Sequence, residues 1–227
     1  MVLDVNSHID RTLYFHEETE MDLALFLQKY LKDDCLFFDI GANSGYFSLI
    51  ASNIVTKGSI HAFEPMPPIY HNFRRAIRLN NIRNIILNEA CVGDKNMYVP
   101  FYAASHADVS GIRATSYHKH STKIRRKMIT IDSYCKDLKL NVDILKIDVE
   151  GAEKYVLLGA QGIVKRDKPI IILEFSNITT SSFGYHPNVL YDFLSSHGYK
   201  IFSYKNGRLR SQKKKEYYSE DLYCFAS

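Results

Sequence analysis

The chain has 227 residues, a length that fits one α/β domain, or one domain with a short arm, and that can bury a core without disulfides or metal. Its apolar and charged fractions, 46% and 24%, exclude a disordered or fibrous chain, and a net charge of +4 is too mild to argue for nucleic acid. No apolar run approaches the ~18 residues of a membrane span, Met1–Asp10 lacks a signal-peptide pattern, and Cys35, Cys91, Cys135 and Cys224 form no Cys-x-x-Cys pair, so free thiols in a cytoplasmic setting are expected.

Thr19 with Asp22 three residues on predicts a helix start, and Leu23, Phe26, Leu27, Tyr30 and Leu31 then recur at helical spacing. Cys35–Ile40 is a short apolar run ending in Gly41, as in a buried strand. Asn43–Val55 predicts a helix that Gly58 stops. Ser59–Glu64 predicts a second strand, and the prolines 65, 67 and 68 open a helix marked by Ile69, Phe73, Ala76 and Ile77. Ile85–Asn88 is a third strand, and Met97–Ala103 and Met128–Ile131 are extended edge segments. Val142–Asp148 is a fourth main strand, followed by a helix from Ala152 to about Ala160, and Pro169–Phe175 is a fifth. A helix over Asn188–Ser196 precedes two strands, Tyr199–Tyr204 and Leu222–Ala226, whose loop connection suits an antiparallel pair. The alternation of strand and helix predicts a parallel sheet covered on both faces. One domain over 1–227 is the economical division, with an arm and helix over 1–32, a core over 33–227 and a basic, lid-like loop over about 102–127.

In open α/β sheets ligands gather at the carboxyl ends of the strands. The first strand runs into Asp39-Ile40-Gly41-Ala42-Asn43-Ser44-Gly45, a Gly-x-x-x-Gly spacing unlike the Gly-x-Gly-x-x-Gly of dinucleotide sites. The acid before the first glycine would repel a pyrophosphate and attract an amino-acid ammonium. Glu64, nineteen residues after Gly45, is placed to accept ribose hydroxyls, and Glu89 lies where a side chain could reach an adenine edge. S-adenosylmethionine is both nucleoside and amino acid, and it fits this set.

Phe38 to Gly45, then Phe63-Glu64-Pro65, then Leu145-Lys146-Ile147-Asp148-Val149-Glu150-Gly151-Ala152-Glu153 resemble the hallmark blocks of FkbM-type methyltransferases, and Thr130-Ile131-Asp132 and Ile172-Leu173-Glu174-Phe175 fit the blocks around the fourth strand. The resemblance implies a class I methyltransferase, Rossmann-like sheet of seven strands ordered 3-2-1-4-5-7-6, with the seventh antiparallel and helices on both faces. It implies O-methylation of sugars, polyketides or similar small molecules. It places Asp39, Gly41, Gly45 and Glu64 on cofactor positions; Asn43, Phe47, Met66, Glu89 and Ala90 complete the cofactor candidates.

Lys146, Asp148 and Glu150 share one parity on the fourth strand, so three charges face one way on a strand that is usually apolar. The functional reading makes Asp148 or Glu150 the base for an acceptor hydroxyl; the bland one is a self-paired lysine and aspartate beside a solvated glutamate. Asp148, Glu150 and Glu174 are also the carboxylates that a divalent ion such as Mg2+ would use, and the sequence does not choose between base and metal. Ser110, His118 and His120, in the basic loop, and Glu174 are the acceptor candidates. Arg125 and Arg126 in that loop suggest an anionic acceptor. The rival readings are an RNA 2′-O-methyltransferase, which the lack of a long basic face disfavours, and a non-catalytic cofactor- or partner-binding protein, which the acid set disfavours.

Overall fold

The computed structural model describes residues 18–103, 112 and 122–227. Ser110, His118 and His120 therefore lie outside the described residues. Helix α1 (Glu18–Tyr30) is followed by β1 (Leu36–Ile40), α2 (Tyr46–Ser52), β2 (Ser59–Phe63), α3 (Pro67–Leu79) and β3 (Ile85–Asn88). Next come β4 (Cys91–Val92), β5 (Met97–Ala103), β6 (Thr122–Ile129), α4 (Ile131–Leu138), β7 (Ile144–Ile147), α5 (Glu153–Leu158) and α6 (Gln161–Arg166). The chain continues through β8 (Ile170–Ser176), α7 (Asn177–Ser181), α8 (Asn188–Ser196), β9 (Tyr199–Lys205), β10 (Arg208–Ser211) and β11 (Ser219–Ala226).

The main sheet has eight strands in the order β10-β9-β11-β8-β7-β1-β2-β3. The expected seven-stranded sheet of order 3-2-1-4-5-7-6 is thus corrected. The segment after β3 leaves the sheet, and β4, β6 and β5 make a three-stranded sheet of their own. At the other edge β10 pairs antiparallel with β9 and adds a strand inside what the sequence presents as a plain basic turn. Strands β3, β2, β1, β7 and β8 run parallel. Strand β11 is antiparallel to both β8 and β9, as the loop connection requires.

The central strands are buried on both faces, which is why they are nearly continuous apolar runs. Phe38, Ile40, Leu145, Ile147 and Leu173 belong to one core; Phe37, Ile60, Ile144 and Ile172 belong to the other, with Phe26 and Leu27 of α1. All four cysteines are buried and free. No helix among the described residues is long and apolar enough to cross a membrane.

Several expected elements change length. The helix read from Asn43 begins only at Tyr46, because Asn43 (φ 48°) and Gly45 (φ 84°) hold left-handed conformations that no helix contains. The edge segment Met128–Ile131 ends at Ile129, where Thr130 caps α4 by accepting from the Ser133 amide. Residues 122–127 of the expected loop belong to β6. Its side chains alternate: Lys123, Arg125 and Lys127 are exposed, whereas Ile124 and Met128 pack on Met66, Cys91 and Phe101. Asp132 joins the next elements: its two carboxylate oxygens accept from the amides of Gly162 (2.8 Å) and Ile163 (2.9 Å) in the first turn of α6. An acid there satisfies donors that a helix start leaves open. Asp132→Ala should cost about 1–2 kcal/mol in urea unfolding, with part restored by asparagine; an unchanged midpoint would mean that these bonds contribute nothing.

Candidate functional site

Parallel pairing brings the carboxyl ends of β1, β2, β3 and β7 to one edge of the sheet, and the strand order reverses between β1 and β7. A ligand crevice is expected there. The structure has a cleft at that edge, about 790 Å3 including its open mouth. Its walls include Gly41 and Asn43 after β1, Glu64 and Met66 after β2, Ala90 and Cys91 after β3, and Asp148 and Glu150 after β7; Val92, Phe101 and Ile112 add apolar surface. Five of the sequence candidates for the cofactor, Gly41, Asn43, Glu64, Met66 and Ala90, and two for catalysis or metal binding, Asp148 and Glu150, thus share one cavity. The apolar lining carried no signal in the sequence, because Phe101 reaches the cleft from the second sheet.

Two glycines permit the approach of the walls, for different reasons. A Cβ on Gly41 (φ 76°) would stand 1.7 Å from the Asp148 carbonyl oxygen, so only glycine lets the β1 turn lie against the end of β7. A Cβ on Gly45 would strike the Phe73 ring at 2.1 Å. Gly45 does not line the cleft; it lets α3 pack on the turn. Phe47 likewise lies in the core, its ring 5.4 Å from Lys146 Nζ.

Glu64 is buried, and both of its oxygens are engaged: Oε2 accepts from the Asn43 amide (3.0 Å) and Oε1 from the Met66 amide (2.8 Å). Burial pushes its pKa up to about 7; the two amides oppose the shift and Asp39 adds to it. A carboxylate oxygen has two acceptor sites, so each retains one.

Asp39 does not line the cleft. It is fully buried: Oδ2 accepts from the Ser48 hydroxyl (2.7 Å), and Oδ1 lies 3.4 Å from Lys146 Nζ without hydrogen-bond geometry. The ammonium beside Asp39 is that of Lys146, where the sequence reading put a ligand's. Lys146, also buried, donates to Asp148 Oδ2 at 3.4 Å. The side chain of Asp148 is 38% exposed, so this lysine bridges a covered acid to one that faces the cleft. Glu150 falls past the strand at φ 54°, where strand parity no longer governs its direction, and it is exposed. The self-paired Lys146 and Asp148 with an outward Glu150 correspond to the bland arrangement, set at the mouth of a cleft.

Glu174 is half-buried on β8 and accepts from the Thr179 hydroxyl (3.4 Å). Its register partner on β11 is Asp221, which the sequence reading missed because 47 residues separate them. Burial pushes Glu174 up to about 9 and Asp221 up to about 6, with Asp148 the largest charged contributor to both. Among the described residues no group of three or more His, Cys, Asp or Glu side chains is disposed to hold a metal ion. The Mg2+ reading of Asp148, Glu150 and Glu174 has no support in the geometry of the described residues.

Glu153 supports the turn that carries Glu150. Its Oε1 accepts from the amides of Val149 (3.2 Å) and Gly151 (3.0 Å). The Tyr185 hydroxyl lies 2.8 Å from the Gly151 carbonyl oxygen and 3.2 Å from Glu153 Oε2. One hydroxyl proton serves one acceptor, so a protonated Glu153 completes the set. Burial pushes Glu153 up to about 7, above the 4.5 of the unfolded chain. The stability it contributes is therefore complete below pH 4.5 and lost as pH rises through 7. Glu153→Gln keeps the acceptor and supplies the donor without the ionisation. Between pH 5 and 9 the unmutated protein should lose stability on the order of 3 kcal/mol relative to this variant; parallel stability–pH curves would contradict the assignment.

The profile described as "Methyltransferase FkbM domain" matches residues 39–201. Over 86% of its length the chain is 26% identical to "AMB antimetabolite synthetase AmbE" of Pseudomonas aeruginosa, and it spans 11% of that protein. Over 64% it is 25% identical to "Methyltransferase 1" of Beauveria bassiana, of which it spans 66%. The chain thus covers less than two thirds of either relative. Among solved structures, methyltransferase FkbM of Methylobacillus flagellatus KT superposes with a TM-score of 0.58 at 14% identity, over 86% of this chain and 44% of that one, a likeness of fold. The profile match covers well over half of the chain, and it includes the turn after β1, Glu64 and the end of β7: the chain belongs to the FkbM methyltransferase family.

Proposed function

We propose that the chain binds S-adenosylmethionine in the cleft between β1, β2 and β7 and transfers its methyl group to a hydroxyl of a small-molecule or glycan acceptor. The observation that carries this reading is the convergence of Glu64, the Gly41 turn and Asp148 on one cleft at the carboxyl ends of the strands. Glu64, held by two backbone amides, offers its remaining acceptor sites to ribose hydroxyls. Val92, Phe101 and Ile112 supply an apolar wall for a base. When bound, the sulfonium supplies the methyl group and is itself the leaving group, so no acid is required.

What the chain must supply is alignment and a place for the acceptor's proton. Asp148 lines the cleft and is held by Lys146, which Asp39 in turn neutralises from below. The exposed cations of β6 lie on the face opposite the one that packs toward the cleft, while acids stand at its mouth. This favours a neutral hydroxyl over an anionic group beside Asp148.

Asp148→Asn should lower turnover by roughly 10²–10⁴ with S-adenosylhomocysteine affinity retained, and the unmutated enzyme should keep its rate after exhaustive chelation. Release of S-adenosylhomocysteine over a panel of hydroxyl-bearing acceptors is the readout. A full-rate Asp148→Asn enzyme would remove Asp148 from the chemistry, and loss of activity on chelation would restore a metal scheme.

A further inference from the structure

Between Ile40 and Asn88 the chain carries a single acid, Glu64, which is buried and held by two backbone amides. The same stretch holds Arg74, Arg75, Arg78 and Arg83. On α3, His71, Arg74, Arg75 and Arg78 stand at i, i+3, i+4 and i+7, a spacing that puts them on one helix face. That face is exposed, opposite the one on which Phe73 and Ala76 are buried. Elsewhere on the surface cations meet acids, as Lys57 meets Asp33, Lys214 meets Asp192 and Lys215 meets Glu220. Among the described residues no ion pair involves any of the four arginines. The next acid along the chain, Glu89, lies outside the cleft wall and pairs with Arg126 (3.5 Å). Like charges one turn apart on a helix repel, so this face costs stability until an anion meets it. Helix α3 also starts at the cleft: Met66, its N-cap, and Ile69, in its first turn, line the wall. At ~1.5 Å per residue the stripe runs roughly 10 Å onward from His71 to Arg78.

We infer that the acceptor is an oligomeric acidic glycan, with a neutral sugar unit at Asp148 and the anionic groups of further units held by the arginines of α3. The inference rests on the methyl transfer proposed above. Arginine forks take carboxylate and phosphate groups bidentately, which a stripe of arginines offers in series. The acids Asp148 and Glu150 of the cleft repel an anion on the reacting unit itself. A nucleic acid carries a charge at every unit and would bring a phosphate beside them. No tyrosine or phenylalanine of α3 is exposed for bases to stack on. Leu79 is the one large apolar side chain that α3 exposes, too little to seat the helix in a membrane. A glycan whose acids are spaced along the chain suits both the acidic cleft and the basic helix.

The test is calorimetry on the full chain loaded with S-adenosylhomocysteine. The probes are a hyaluronan fragment, in which acidic and neutral sugars alternate, and its carboxyl-reduced, neutral counterpart. The acidic fragment should bind roughly tenfold more tightly than the neutral one, the order expected of three exposed ion pairs. The preference should fade as salt screens these charges. The combined variant Arg74→Gln, Arg75→Gln and Arg78→Gln keeps helix propensity and should bind both fragments alike, with S-adenosylhomocysteine affinity unchanged. Neutralising the other exposed basic face, with Lys123→Gln, Arg125→Gln and Lys127→Gln, should leave the preference intact. Equal loss in both combined variants would reveal diffuse charge attraction and overturn the inference. A preference that survives in the α3 variant overturns it as well, and so does absence of fragment binding; in each case the cofactor reading stands. Tighter binding of single-stranded RNA than of the acidic fragment, lost in the α3 variant, assigns the face to nucleic acid instead. Absence of S-adenosylhomocysteine binding overturns the cofactor reading and this inference together. Thermal unfolding checks each variant; if the combined α3 variant is misfolded, Arg78→Gln alone must weaken the acidic fragment and not the neutral one.

Discussion

One buried carboxylate ties the two turns that make the cleft. Glu64 accepts from the amide of Asn43 in the turn after β1 and from the amide of Met66 at the start of α3. Asn43 sits in a left-handed conformation there, and Met66 is the N-cap of α3. Without that acceptor, two amides near the carboxyl edge of the sheet would lose their partners, and a buried donor left unpaired costs about 1–3 kcal/mol. The position of Glu64 is itself set by parallel pairing, since its own amide donates to Asn88 of β3. A single acid thus connects three strand ends, and it keeps acceptor capacity for a ligand.

The second constraint is Lys146, a cation inside a strand that otherwise consists of Ile144, Leu145 and Ile147. Its neighbours Asp39 and Asp148 differ in exposure: one is covered and the other faces the cleft. The covered acid lowers the cost of keeping the lysine in the core, and the lysine holds the exposed acid in place. The arrangement converts a motif at the end of β1 into control over a side chain at the end of β7. Gly41 makes the same junction possible at the level of the backbone, because any side chain there would collide with the Asp148 carbonyl.

Much of this was legible in the amino-acid sequence. Parallel strands buried on both faces appear as apolar runs, and their carboxyl ends are marked by Gly41, Glu64 and Asp148. What was not legible depends on tertiary contact. Lys123-Ile124-Arg125-Arg126-Lys127 looks like a basic loop, because two consecutive arginines mask the alternation that β6 actually has. The requirement for glycine at 45 comes from Phe73, on a different helix. Asp39 was expected to meet a ligand's ammonium; only the structure shows that Lys146, over a hundred residues later, is already beside it. Asp221 gave no local signal, and Glu153 none beyond its place in the Leu145–Glu153 block, since their burial follows from the packing of Tyr185 and the pairing of β11.

The central claim is that Glu64 makes this cleft a site for the nucleoside of S-adenosylmethionine. It is tested most directly by titrating S-adenosylhomocysteine and NAD into the unmutated protein and into Glu64→Gln, which keeps the size of the side chain but turns one acceptor into a donor. The account predicts binding of S-adenosylhomocysteine and not of NAD, weakened roughly ten- to hundredfold by the substitution in a protein that remains folded. Unchanged affinity in folded Glu64→Gln, or tighter binding of NAD than of S-adenosylhomocysteine, would contradict it.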